Sequence, residues 1–170
     1  MAQQAKRLEG DARDLTIVRM FDAPRDLVFD LWTKPEHTIR WMGPRDYPAT
    51  VFEQDVRVGG KWRGCLTGAP EAPTPGDKLW QGGEYLEIVP PEKLVFTFAW
   101  DGGPETVVTV ILTAVGDQTR MVFHQTPFET AGNRDGHGGG WNSAFDRLVD
   151  FIALPAAAER QADAGGKDRA

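Results

Sequence analysis

Six segments rich in β-branched and aromatic residues follow one another between residues 47 and 126, with glycine and proline at the turns between them. They predict strands near 47–56, 60–67, 78–89, 93–100, 105–114 and 118–126. Because most of the connections are short, we expect neighbouring strands to pair as hairpins in one antiparallel sheet. Phe96, Phe98 and Trp100 occupy alternate positions and therefore share a face of this sheet. An apolar sheet face needs another element to cover it.

The covering element is predicted to be a helix over residues 141–154. Its apolar side chains recur at helical spacing and form one stripe: Trp141, Ala144, Phe145, Leu148, Phe151 and Ile152. Glycine is a poor helix former, so the glycine run 138–140 predicts that the helix begins near Trp141. Pro155 disfavours helical geometry at the residue before it, so the helix is expected to end at Leu154.

One strand and two short helices are predicted before the sheet segments. Residues 14–22 are rich in strand-forming residues, with the two faces of the strand alternating along the run. Pro24 suits the first turn of a helix, and Val28, Leu31 and Trp32 form the apolar stripe of that helix. Pro35 interrupts it and is expected to begin a second short helix.

This order of elements predicts an α+β helix-grip fold, in which a curved antiparallel sheet of six or seven strands surrounds the long C-terminal helix. Because a helix is narrower than the concave face of such a sheet, we expect a cavity between the two. Residues 14–154 are expected to form a single domain. Residues 1–13 are polar, and residues 155–170 are rich in alanine, glycine and charge, so we expect both ends to be flexible.

Charge and cysteine content argue against several classes of protein. The net charge of −6 disfavours a nucleic-acid-binding protein, because such proteins usually present a basic face. Cys65 is the single cysteine, so an intrachain disulfide cannot form, which fits a cytoplasmic location. The first ten residues are polar and do not form a signal peptide, and no apolar run is long enough to span a membrane.

Five short runs, spread in order over residues 14–154, match one known family. They are RMFDAP at 19–24, WMGP at 41–44, DVRVGGKW at 55–62, GEYLEIVPPEKLVFT at 83–97 and GW at 140–141. Taken together, these runs resemble the Aha-type family of activators of the heat-shock-protein-90 ATPase, within the START/Bet v 1-like (SRPBCC) superfamily.

The resemblance implies a helix-grip fold with an apolar cavity. It also implies a link to the stress response and a chaperone as a possible partner, through stimulation of the chaperone's ATPase. The eukaryotic activators carry an additional N-terminal domain, which this chain is too short to hold, and this argues against a chaperone role.

The predicted function is the binding of a small hydrophobic or aromatic ligand in the cavity, without covalent chemistry. Inward-facing aromatic side chains support it, since ligand cavities are lined by apolar rings and a few polar groups. The candidate ligand-binding residues are Trp62, Leu66, Tyr85, Glu87, Phe96, Phe98, Trp100, Val108, Val110, Phe123, Gln125, His137, Trp141, Phe145 and Leu148. Glu87 and Gln125 would be the polar groups. A completely filled core is the alternative interpretation of the same aromatic residues.

An enzyme of the cyclase or hydratase kind is the second interpretation. His137 titrates near neutral pH, a buried Glu87 would have a raised pKa, and Tyr85 can donate a hydrogen bond to a carbonyl, so these three are the candidates for proton transfer. No nucleophile stands beside a base, and no histidines have the spacing of a metal site. We therefore predict no catalytic residue, no metal and no cofactor.

Two further features leave alternatives open. The glycine run 138–140 is either a flexible lid at the cavity mouth, with His137 in the same loop, or a set of free backbone N–H groups that binds an anion or a carbonyl. An exposed edge strand would permit a homodimer, although proteins usually protect such edges.

Overall fold

The structure is a computed structural model that describes residues 13–154. An antiparallel sheet of seven strands curves around a long helix. The elements in chain order are β1 (Leu15–Phe21), α1 (Arg25–Thr33), α2 (Pro35–Thr38), β2 (Ala49–Gln54), β3 (Lys61–Thr67), β4 (Lys78–Val89), β5 (Lys93–Trp100), β6 (Thr106–Val115), β7 (Gln118–Thr126) and α3 (Ala131–Ala153). The flexible ends predicted at 1–13 and 155–170 lie, apart from residue 13, outside the described residues.

The strand order across the sheet is β1-β7-β6-β5-β4-β3-β2. Strands β2 to β7 therefore form a continuous meander, in which each strand pairs with the next one along the chain. β1 is the exception, because it pairs with β7 in an antiparallel register that places Leu15 opposite Gln125. This arrangement confirms the predicted α+β helix-grip fold.

The core lies between the concave face of the sheet and the three helices. Phe96, Val108 and Phe123 project into it from the sheet, and all three are buried. α3 contributes Phe145 and Leu148, neither of which is exposed to solvent. Most of the apolar stripe predicted for this helix is buried, and its last two members, at 151 and 152, are partly buried.

The start of the long helix differs from the sequence prediction. α3 begins at Ala131 rather than at Trp141, and the glycine run 138–140 lies inside it. Thr130 caps the helix, since its Oγ1 accepts a hydrogen bond of 3.0 Å from the backbone N–H of Asn133. The expected lid loop and the expected free N–H groups are therefore both wrong for this run. Tertiary packing overrides the low helix propensity of glycine in α3.

No helix within residues 13–154 is both long enough and apolar enough to cross a membrane.

Candidate ligand-binding cavity

An apolar cavity of about 290 Å³ lies between the sheet, α3 and the loop that follows α2. The loop provides Met42, Gly43, Pro44 and Tyr47. The sheet provides Leu66, Leu79, Gln81, Phe98 and Trp100. The helix provides Gly136, His137, Gly140, Trp141 and Ala144.

Gln81 is the polar residue of the sheet wall. Gln81 of β4 lies opposite Gly64 of β3 on one side and opposite Trp100 of β5 on the other. Gly64 presents no side chain, and a Cβ atom there would come within 3.0 Å of the ring of Phe52. The ring of Phe52 therefore covers Gly64, and the cavity is bordered at this level of the sheet by Gln81 and Trp100.

The loop wall is held in place by Arg147 of α3. Its guanidinium donates hydrogen bonds of 2.8 Å to the carbonyl oxygens of Met42 and Gly43, one of 3.0 Å to that of Arg40, and a longer one of 3.4 Å to that of Trp41. One side chain thus binds four consecutive residues of the loop and fixes the loop against the helix.

The conformation of Gly43 turns this loop toward the cavity. Its φ angle is +86°, a region that L-residues rarely adopt. A Cβ atom at this position would also lie 2.4 Å from the carbonyl oxygen of Tyr47. The position therefore requires glycine, which accounts for one residue of the WMGP run.

The helix wall is open where glycine replaces a side chain. A Cβ atom on Gly136 or Gly140 would meet no other atom within 4 Å. Both glycines also border an outer groove, of which Arg45 and Ser143 form part of the wall. The glycine face of α3 therefore connects the cavity with the surface of the molecule.

His137 is the one imidazole at the cavity. Trp100 Nε1 donates a hydrogen bond of 3.3 Å to His137 Nε2, so the proton of the neutral ring lies on Nδ1. The ring also packs against Phe98 and Phe128 at centroid distances of 5.5 and 4.9 Å. Burial among these rings lowers the pKa of His137 below its ordinary value of 6.5. The ring is therefore neutral at pH 7.

The buried neutral state of His137 predicts a pH-dependent stability. Between its lowered native pKa and about 6.5, the unfolded chain binds more protons than the native one, so the free energy of unfolding should fall as the pH falls through this window. In His137→Phe this contribution is lost, so the free energy of unfolding should decrease less between pH 7 and pH 5 than it does in the wild type. Denaturant unfolding at several pH values measures this free energy for both proteins. Equal pH dependence in both proteins would contradict the prediction.

Five of the predicted site residues line the cavity: Leu66, Phe98, Trp100, His137 and Trp141. Three others border a separate void, large enough for about one water molecule, deeper in the core: Trp62, Tyr85 and Phe96. Another five belong to the filled core and do not reach the cavity: Val108, Val110, Phe123, Phe145 and Leu148. Both interpretations of the aromatic residues therefore apply, each to a different part of the concave face.

Gln125 is buried, and both the oxygen and the nitrogen of its amide are bonded within the protein. Its Oε1 accepts a hydrogen bond of 2.8 Å from Trp141 Nε1, and its Nε2 donates one of 2.9 Å to Thr106 Oγ1. Gln125 therefore positions the indole of Trp141, and it does not line the cavity.

The expectation that Glu87 faces the cavity is wrong. The register of β4 against β5 shifts between Tyr85 and Glu87, so the regular alternation is broken by a bulge. Tyr85 points into the core, whereas Glu87 is exposed and forms an ion pair of 3.2 Å with Lys93. Simple alternation along a strand does not reveal a bulge, and for this reason the sequence analysis placed Glu87 on the same face as Tyr85.

The sequence analysis missed several residues of the cavity wall. Gln81 shares a face with Leu79 and Tyr85, and the alternation of β4 would have found it. Tyr47 and the loop residues 42–44 carry no periodic signal, because a loop has no repeating geometry. Within residues 13–154, no group of His, Cys, Asp and Glu side chains is arranged to hold a metal ion.

Comparison with known proteins agrees with this architecture. The family described as Activator of Hsp90 ATPase homolog 1-like protein matches residues 22–153. The solution NMR structure of a protein from Arthrobacter aurescens has 28% sequence identity and a TM-score of 0.73, and the match covers 86% of this chain and 91% of that one. A crystal structure of a protein from Rhodobacter sphaeroides has 26% identity and a TM-score of 0.72, covering 86% of this chain and 96% of that one.

The AHSA1 protein from Silicibacter pomeroyi is similar in fold, with 22% identity and a TM-score of 0.72, and the match covers 83% of this chain and 98% of that one. No curated protein matches the chain.

Proposed function

The chain belongs to the family of Activator of Hsp90 ATPase homolog 1-like proteins, and we propose that it binds a small hydrophobic or aromatic molecule in the cavity between its sheet and α3. The ligand is held without covalent chemistry. The cavity itself is the observation that carries this proposal, because its walls are almost entirely apolar and it opens to the surface through the glycine face of α3.

The volume of the cavity limits the size of the ligand. An engineered apolar cavity of about 150 Å³ in another protein binds benzene. At about 290 Å³, this cavity has room for roughly two fused aromatic rings. The indoles of Trp100 and Trp141 and the ring of Phe98 provide flat surfaces against which such a molecule can stack.

The walls are rigid, which favours binding. Trp141 is fixed by its hydrogen bond to Gln125, and the loop residues are fixed by Arg147. A preformed site loses less conformational entropy when a ligand binds than a site that has to be ordered first. The open space at Gly136 and Gly140 supports the same proposal, since glycine within a helix is destabilising by about 0.5–1 kcal/mol relative to alanine and no neighbouring atom there excludes a side chain.

We expect Gly140→Leu to weaken the binding of naphthalene at least about tenfold, because Gly140 borders both the cavity and the outer groove and a leucine side chain there would occupy the opening between them. The fold should persist, since leucine is a better helix former than glycine. Naphthalene binding is measured by titration calorimetry and by the shifts of the tryptophan indole N–H signals in NMR spectra.

Gly132→Leu is the matched control. Gly132 lies in the same helix, is exposed, and borders neither the cavity nor the outer groove. The Gly132→Leu variant should bind naphthalene with the affinity of the wild type. Naphthalene binding that Gly140→Leu leaves unchanged would show that the cavity is not the binding site.

An enzyme of the cyclase or hydratase kind is the second candidate, and the position of His137 favours it. Its Nε2 is occupied by the indole N–H of Trp100, so the Nδ1–H of the neutral ring is the group that could donate a hydrogen bond to a substrate oxygen. If a natural ligand is chemically changed by the wild type, His137→Phe should lower its turnover by about 10²-fold or more. Recovery of the bound molecule unchanged after prolonged incubation supports binding alone.

A further inference from the structure

We propose that the side-chain amide of Gln81 is the polar anchor of the ligand, and that the ligand is a neutral aromatic molecule of one or two rings bearing a hydroxyl or carbonyl group. This inference rests on the proposed function, because it assigns the chemical class of the molecule that occupies the same cavity.

Gln81 is a buried polar side chain without a partner in the protein. It is only 2% exposed, and its side-chain amide makes no hydrogen bond with any other residue of the segment 13–154. The amide is not sealed within packed atoms, since the side chain lines the cavity. A ligand group that enters the cavity and forms a hydrogen bond with this amide gives it the partner that the described residues do not supply.

Gln125 shows the contrast with a glutamine used for structure. It is as deeply buried as Gln81, yet both ends of its amide bond to neighbouring side chains. The two residues beside Gln81 in the sheet offer it nothing comparable. Gly64 has no side chain, and the indole N–H of Trp100 is donated to His137.

The chemistry of the walls defines the ligand that Gln81 would hold. A carboxamide has an acceptor oxygen and two N–H donors, so it pairs equally well with a hydroxyl or with a carbonyl. None of the described residues that line the cavity is Lys, Arg, Asp or Glu. An ionised ligand group would therefore be buried without a counter-charge, which is unfavourable. The aromatic walls favour a flat ring system for the rest of the molecule.

The test compares 2-naphthol with naphthalene, which share the same fused rings and differ by one hydroxyl group. Dissociation constants are measured for the wild type, for Gln81→Leu and for Gln118→Leu. The last of these is the surface control, since Gln118 is exposed. The preference for 2-naphthol over naphthalene, measured as the ratio of their dissociation constants, should be about three- to tenfold smaller in Gln81→Leu than in the wild type. This is the effect of one hydrogen bond. Naphthalene affinity should be equal or higher, and Gln118→Leu should match the wild type for both compounds.

Stability without ligand gives a second, independent readout. Gln81→Leu replaces an unpaired buried amide by an apolar group of similar size, so the unliganded variant should unfold at the same denaturant concentration as the wild type or at a higher one. A clear decrease would mean that the amide has a structural role and would overturn the inference. If the branched leucine prevents folding, Gln81→Met serves for both measurements, because methionine has the same unbranched shape as glutamine.

The outcomes separate this inference from the proposed function. A wild type that binds naphthalene, with a preference for 2-naphthol that survives Gln81→Leu, overturns the role of Gln81 and leaves the cavity as a binding site. A wild type that binds neither compound overturns the proposed function, and the inference with it.

Discussion

Leu148→Ala is expected to lower the free energy of unfolding by about 2–5 kcal/mol, the range found for removing a large side chain from a packed core. Leu148 lies in the middle of α3 and is completely buried in the core cluster. The substitution removes apolar contacts and leaves a cavity that the rigid sheet cannot close. Urea or guanidinium unfolding, followed by tryptophan fluorescence, measures the change.

Val149→Ala is the control for this prediction, since Val149 is the next residue of the same helix and is 40% exposed. Its substitution should change the stability by no more than about 0.5 kcal/mol. Equal losses in the two variants would mean that the helix does not present Leu148 to the core.

Arg147→Met is expected to lower the free energy of unfolding by about 1.5–3 kcal/mol, the range for hydrogen bonds to charged groups. Methionine retains an apolar stem of similar length but removes the donors that hold the carbonyl oxygens of residues 40–43. Because Met42 and Gly43 also form part of the cavity wall, naphthalene affinity should fall as well. Arg147→Lys should be intermediate, since an ammonium group cannot reproduce the planar fork of a guanidinium.

Arg134→Met is the matched control, in the same helix. Arg134 forms an ion pair with the exposed Asp135, and surface pairs of this kind contribute about 0–1 kcal/mol. A loss in Arg134→Met as large as that in Arg147→Met would contradict a special role for the contact between Arg147 and the loop. Denaturant unfolding and naphthalene titration of the three variants provide the comparison.

The sheet could be predicted from the sequence because side chains of a strand alternate between its two faces with a period of two residues, and because glycine and proline mark the turns. The observed β4 and β5 have the predicted bounds, 78–89 and 93–100. The start of α3 could not be found in the same way. Helix propensity is a local quantity, whereas the helix that contains the glycine run is stabilised by packing with residues distant in the chain, and the side chain of Leu15 lies where a Cβ atom of Gly138 would point.

The cavity was less predictable than the fold for a related reason. Alternation shows which side chains of a strand face inward, but it does not show where the space between them remains unfilled. Val110 and Phe98 both face inward, yet only Phe98 reaches the cavity. That difference depends on the side chains that are missing at Gly136 and Gly140, and on a loop that Arg147 holds in place. Both are properties of the assembled structure.

The pairing of β1 with β7 has a consequence for the order in which the chain can fold. Residues 15–21 are made first, but their partners, residues 119–125, are made near the end of the domain. The hairpins from β2 to β7 join neighbours in sequence and can form during synthesis, whereas β1 has to close a loop of about one hundred residues. The backbone of β1 therefore has no strand to pair with until β7 has left the ribosome, and until then Ile17 and Phe21 cannot be buried in the completed sheet. The first strand to emerge is the last one able to complete the sheet.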